Sequence, residues 1–190
     1  MKEKIKNIFK ESIKVKEKVC ENHLETIIKI VRLIIQCLEG GGKVILCGNG
    51  GSAADAQHIA SELIGRFKMD RSPLPAIALS TNTSILTCLG NDYSYEVIFS
   101  RQVQALAKKG DVLIAISTSG RSINIVEAVK TAKNIGLKTI AFTGKDGGKL
   151  AKIADVSLVV PSQETPRIQE SHITVAHIIC ELVEEQLFRK

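Results

Sequence analysis

Five short apolar runs of β-branched character set the tightest limit on how this chain can fold: KVILC (43–47), PAIALS (75–80), DVLIAIS (111–117), KTIAFTG (138–144) and VSLVVP (156–161). Each has the length of a strand, and each is apolar on successive positions, so both of its faces need cover. Between the runs lie stretches with the apolar period of helices. Buried strands alternating with helices make a parallel sheet between helical layers, an α/β fold of the α-β-α sandwich type. A strand order of 2-1-3-4-5 would put the reversal of direction between strands one and three, where open parallel sheets bind ligands.

Helices flank this core. Through residue 38 apolar positions recur at three and four residues, as Ile5, Ile8, Phe9, Ser12, Ile13 and again Ile27, Ile30, Val31, Ile34, Ile35, Leu38. This pattern predicts two N-terminal helices within residues 1–39, ended by Gly40-Gly41-Gly42. The stretch from about Ile168 to Phe188 predicts one long helix, with Ile168, His172, Val175, Ile179, Leu182 and Val183 on a wide apolar face. The 190 residues therefore read as one domain: helices over 1–39, an α/β core over 43–161 and a terminal helix over 166–188. The N-terminal helices carry more apolar surface than a five-stranded sheet needs, which points to packing within the chain or to oligomerisation.

Composition narrows the functional classes. Apolar residues at 44% and charged residues at 24% are those of a folded globular chain. The five cysteines, Cys20, Cys37, Cys47, Cys88 and Cys180, are odd in number, far apart and never in a C-x-x-C pair, so neither a disulfide framework nor a zinc ribbon is expected. A reducing, cytoplasmic setting fits them. Residues 1–18 hold seven lysines against three glutamates, which places much of the net charge of +6 on the first helix. With no arginine and one aromatic there, this reads as a solvated helix face, not a nucleic-acid surface. Lys29, Arg32 and Gln36 interrupt the most apolar stretch well short of a membrane span, and the N-terminus has no secretory pattern.

Two loops carry binding chemistry. Gly48-Asn49-Gly50-Gly51-Ser52 follows the first strand, and Ser117-Thr118-Ser119-Gly120-Arg121-Ser122 closes the third; each opens a helix. Free backbone N–H groups and hydroxyls at a helix N-terminus favour an anion. Gly48-x-Gly50-x-x-Ala53 loosely matches a dinucleotide fingerprint, but the second strand runs into Ser80-Thr81-Asn82 and offers no acid for a ribose. No Gly-Lys-Ser/Thr completes a phosphate loop of the nucleotide triphosphatases either. A pocket of Ser, Thr, Asn and Gly suits a sugar phosphate better than adenine.

His58 and Glu62 lie four residues apart on the helix that starts at this loop, so they share a face. Read alone, such a pair is either a surface contact or half of a chelating site. The terminal helix adds Gln169, Glu170, His172, His177 and Glu181. Gln169 and His177 are eight residues apart, about 12 Å along a straight helix, a poor spacing for one small metal. His172, among Ile168, Val175 and Ile179, reads as a half-buried structural histidine, and His23 has no partner pattern.

Together, CGNGGSAADAQHIASELIGRF (47–67), LGNDYSYEVIFSRQ (89–102), GDVLIAISTSGRS (110–122), FTGKDGG (142–148) and RIQESHITVAH (167–177) resemble the sugar-isomerase (SIS) domain family and, within it, the phosphoheptose isomerases. The likeness runs over residues 1–188. It implies a flavodoxin-like SIS domain in a homotetramer that interconverts sedoheptulose 7-phosphate and D-glycero-D-manno-heptose 7-phosphate, the first step toward ADP-activated heptoses for lipopolysaccharide cores or other surface glycans. It implies one zinc per subunit on His58, Glu62, Gln169 and His177, with Glu62 and His177 as the acid/base pair. Substrate contacts would fall on Asn49, Gly50, Gly51, Ser52, Glu62, Asn91, Asp92, Ser117, Thr118, Ser119, Ser122 and Gln169. Arg121 stands where relatives often have a neutral residue, and Pro166 where some have an acid. Two rival readings are a non-catalytic DiaA-type tetramer that binds the replication initiator DnaA, and an isomerase of another sugar phosphate. DiaA-type relatives lose the residues matching Glu62 and His177, which this chain keeps.

Overall fold

The computed structural model describes residues 1–189. Five strands, β1 (Val44–Gly48), β2 (Ala76–Ala78), β3 (Val112–Ile116), β4 (Lys138–Gly144) and β5 (Val156–Val160), form one parallel sheet in the order β2-β1-β3-β4-β5. The reversal lies between β1 and β3, as the expected order requires. The helices are α1 (Lys2–Glu39), α2 (Gly51–Ile64), α3 (Thr83–Asp92), α4 (Ile98–Leu106), α5 (Ile123–Ile135), α6 (Gly148–Ile153) and α7 (Thr165–Phe188), with a 3₁₀ turn at Tyr95–Val97.

Strand alternation divides the core. Val44, Leu46, Val112, Ile114, Ile116, Ile140 and Phe142 point to the side covered by α1, α2 and α7. Ile45, Cys47, Leu113, Ala115 and Ala141 point to the side covered by α4, α5 and α6. Burial on both faces is what the apolar runs required.

One expectation is corrected: the N-terminal segment is a single helix, not two. Nothing between Ile13 and Ile27 can break it, for KVKEKVCENHLET contains neither Gly nor Pro. Its halves differ in packing instead. Val19, Ile27, Ile30, Val31, Ile34 and Cys37 are buried, whereas Ile5, Ile8, Phe9 and Ile13 stand exposed. His23, which showed no partner pattern, bonds through Nε2 to the Val159 carbonyl at 3.0 Å and ties α1 to β5. The helix ends at Glu39 with Gly40 as its cap, as the glycine triplet implied.

The start of the central strand pair is held by a buried carboxylate. Asp111 accepts from the Lys43 backbone N–H at 3.0 Å, the Lys43 ammonium at 2.6 Å and the Lys108 N–H at 2.9 Å. Next to it, Val112 N–H donates to Lys43 O at 3.1 Å, so the carboxylate pins β1 and β3 in register. Asp111→Ala strands two backbone donors and a half-covered ammonium. A loss of about 2 to 3 kcal/mol is expected, read as a lower midpoint in urea; an unchanged midpoint contradicts this account.

Candidate active site

The loops after β1 and β3 meet. Asn49 and Asn124 exchange side-chain hydrogen bonds, Nδ2 to Oδ1 at 2.9 Å in each direction, and Tyr95 Oη donates to Asn49 Oδ1 at 3.2 Å. Ser117 is buried, with its Oγ 3.1 Å from that of Ser122, the residue preceding α5. Thr118 is half-buried, and Ser119 accepts from the Arg121 N–H at 3.2 Å. Neither Gly50 before α2 nor Ser122 before α5 caps its helix with a side chain, although Asn124 Oδ1 accepts the Ile125 N–H at 3.0 Å. Gly120 is required here: its φ is +63° and a Cβ would overlap the Gly147 carbonyl oxygen, where the loops after β3 and β4 touch.

α2 and α7 pack side by side in the same direction, and their contacts form successive rungs. At the first, Gln169 lies against Gly51 so closely that a Cβ on Gly51 would overlap Nε2. Ser52 is buried beneath this loop. At the second, His58 Nε2 stands 2.9 Å from Glu62 Oε1 and 3.4 Å from His177 Nε2. The two imidazoles meet edge to face at 5.0 Å, and the Phe67 ring lies 5.6 Å from His177. One ligand atom from each of His58, Glu62 and His177 lies within 4.8 Å of the others. Two imidazoles and a carboxylate converging so closely could hold a divalent metal ion.

Gln169 does not join this group. α7 is regular from Thr165 to Phe188, so the eight residues to His177 separate the two by about 12 Å of rise. Asn91 and Asp92 end α3, exposed, with Asn91 Nδ2 donating to Asp92 at 2.8 Å. That bond, with one from the Cys88 thiol, holds the Asp92 carboxyl below its usual range. Arg121 pairs with Asp146 on the surface, and Pro166 occupies the first turn of α7.

Several groups went unnoticed in the sequence. Asn124 had one signal, a polar residue in the first turn of α5 among Ile123, Ile125 and Val126. Tyr95 and Phe67 gave none, since their contacts are with residues distant along the chain. Asp55, one turn before His58, has a buried Oδ2 without a partner, and burial raises its pKa against the pull of His58. Cys180, one turn after His177, is pushed up to about 12 by burial and by Glu62, so it stays a thiol and offers no nucleophile.

His172 is fully buried at 1% exposure, not half-buried as its spacing suggested, because α7 lays it onto the end of β4. Its Nε2 bonds to Thr143 O at 2.9 Å, and its Nδ1 is buried without a partner. Burial lowers its pKa from 6.5 to about 4, and the Thr143 bond offsets this only in part. The unfolded chain therefore takes up a proton that the folded chain refuses as pH falls from 6.5 to about 4. About 3 kcal/mol present above that window is lost across it. Urea midpoints at pH 7 and pH 4.5 should fall more steeply for the native chain than for His172→Gln; equal slopes contradict the assignment.

The SIS domain family matches residues 8–144, and the chain belongs to that family. The phosphoheptose isomerase of Aquifex aeolicus (strain VF5) is 58% identical over 98% of this chain and 98% of that one. That of Clostridium acetobutylicum is 56% identical over 99% and 97%. The solved phosphoheptose isomerase GmhA from Neisseria gonorrhoeae superimposes with a TM-score of 0.92 at 46% identity, covering 97% of this chain and 98% of that one. Within the SIS family, then, this chain belongs with the phosphoheptose isomerases. Among the described residues no helix is long and apolar enough to cross a membrane.

Proposed function

We propose that the chain interconverts sedoheptulose 7-phosphate and D-glycero-D-manno-heptose 7-phosphate through an enediol. The observation that carries this reading is the convergence of His58, Glu62 and His177 on two helices in a chain whose loops after β1 and β3 are rich in glycines and hydroxyls. Relatives above 50% identity over nearly the whole chain support the substrate.

In the proposed reaction Ser117, Thr118, Ser119 and Ser122 hold the phosphate, while Asn49, Gly50, Gly51, Ser52, Gln169, Asn91 and Asp92 bond the sugar. Binding energy at the phosphate end fixes the reacting carbons. Glu62, rigid on α2, takes a proton from C1 of the ketose, and His177 delivers one to the C2 oxygen, giving the enediol. Return of the carbon-bound proton to C2, with loss of the C1 hydroxyl proton to His177, yields the aldose. His58, Glu62 and His177 would hold a zinc ion, and Gln169 would join them from a second subunit. Bound there, zinc supplies Lewis acidity toward the carbonyl and hydroxyl oxygens.

We further propose a cytoplasmic homotetramer supplying heptose for lipopolysaccharide or other surface glycans, acting without nucleic-acid or membrane partners. Support for assembly is the exposed stripe Ile5, Ile8, Phe9 and Ile13 on α1 and the apolar groove between α1 and α7, lined by Leu24, Ile28 and Ile178 among others.

NMR of purified protein with sedoheptulose 7-phosphate should show the aldose phosphate appearing. Glu62→Gln should lower kcat by at least about 1,000-fold while substrate still raises the melting temperature; turnover at the native rate sinks the base assignment. Dialysis against a chelator should remove activity and Zn²⁺ should restore it. Full activity in protein shown to be metal-free by elemental analysis would dispose of the zinc.

A further inference from the structure

Glu62 occupies the last turn of α2, which ends at Ile64. Helix ends lack partners for their final carbonyls and fray first, a poor place for a proton-transferring group that must be held to a fraction of an ångström. Here the carbonyls are taken by one side chain. Arg71 donates from Nη2 to Glu62 O at 2.9 Å and from Nη1 to Leu63 O at 2.8 Å, Gly65 O at 3.1 Å and Ser72 O at 3.1 Å. Its Nε donates to Glu184 of α7 at 3.0 Å, and the two side chains are only 2% and 1% exposed.

Glu184 is as fully engaged. It accepts the backbone N–H groups of Phe67 at 3.0 Å, Lys68 at 2.8 Å and Met69 at 2.8 Å. Burial works against its charge, but these N–H groups and Arg71 hold its carboxyl below the usual range. Glu184 lies two turns beyond His177 on the same helix, and Phe67, whose N–H it binds, lays its ring on His177. The pair is thus a third rung between α2 and α7, bonded to the backbone of one proposed catalytic residue and to the neighbour of the other.

We infer that Arg71 and Glu184 are positioning residues for the isomerisation: their buried ion pair stops α2 from fraying at Glu62, locks it to α7, and sets the spacing of Glu62 and His177. Stability is a weak reason for such a pair, because apolar residues of similar volume often serve a core as well or better. What apolar residues cannot supply is the directed set of bonds to the Glu62 and Leu63 carbonyls and to the Phe67–Met69 amides. The inference rests on the acid/base reading of Glu62 and His177.

The test uses Arg71→Lys, which keeps the charge but loses the fork, and Glu184→Gln, which keeps the shape but loses the charge. Folding is checked by circular dichroism at the assay temperature, and kinetics are measured with sedoheptulose 7-phosphate. Displacement of the reacting groups should lower kcat about 10- to 100-fold, with KM within about twofold because the phosphate loops lie at the other end of α2. Folded variants with native kcat, or with a raised KM and native kcat, overturn the inference. So does failure of both variants to fold, which would make the pair a folding determinant only. Glu62→Gln assayed alongside separates the two ideas: if it turns over normally, the acid/base reading itself has failed, whatever Arg71 and Glu184 do.

Discussion

β1 and β3 are buried at every residue and β4 at all but Lys138, and this two-sided burial governs how the rest of the chain is arranged. A parallel strand buried on both faces must be followed by a helix that returns antiparallel to it across one face. α2 returns from β1 and α7 from β5, both on the face that α1 also covers. Two such returns on one face run in the same direction, so α2 and α7 lie parallel and meet at intervals along their length. Gly51 with Gln169, the His58–Glu62–His177 group, and Arg71 with Glu184 are consequences of that shared direction.

The same geometry sets the two loops apart from the titratable groups. Helix N-termini and hydroxyls gather at the carboxyl ends of β1 and β3, where an anion is favoured. His58 and Glu62 sit about two and three turns into α2, and His177 just over three turns into α7. The buried thiols do not add to these groups, since Cys47 and Cys180 are both pushed up to about 12 by burial.

The strands were legible to within a residue or two because apolar runs of that length have few other ways to be buried, although β2 proved shorter than PAIALS implied. The two loops were legible from their glycines and hydroxyls. The split of the N-terminal segment into two helices was misread: its outer and inner halves differ in exposure, and exposure is a tertiary property that leaves no mark on helical periodicity. His172 was placed on the correct face but at the wrong depth for the same reason. Asn124, Tyr95, Phe67 and Arg71 were invisible as site residues, each acting through a partner at least eight positions away.

By itself the sequence determined the α/β class, the two glycine- and hydroxyl-rich loops at helix starts and the i,i+4 placement of His58 with Glu62, because each follows from local period, turn chemistry or helical spacing. Only the tertiary structure decided that His177 lies beside the His58–Glu62 pair, that Gln169 of the same chain packs against Gly51, and that a buried ion pair holds the end of α2. These depend on the offset between two helices more than a hundred residues apart, which is set by how their side chains pack on a common sheet face and not by the spacing of residues along either helix.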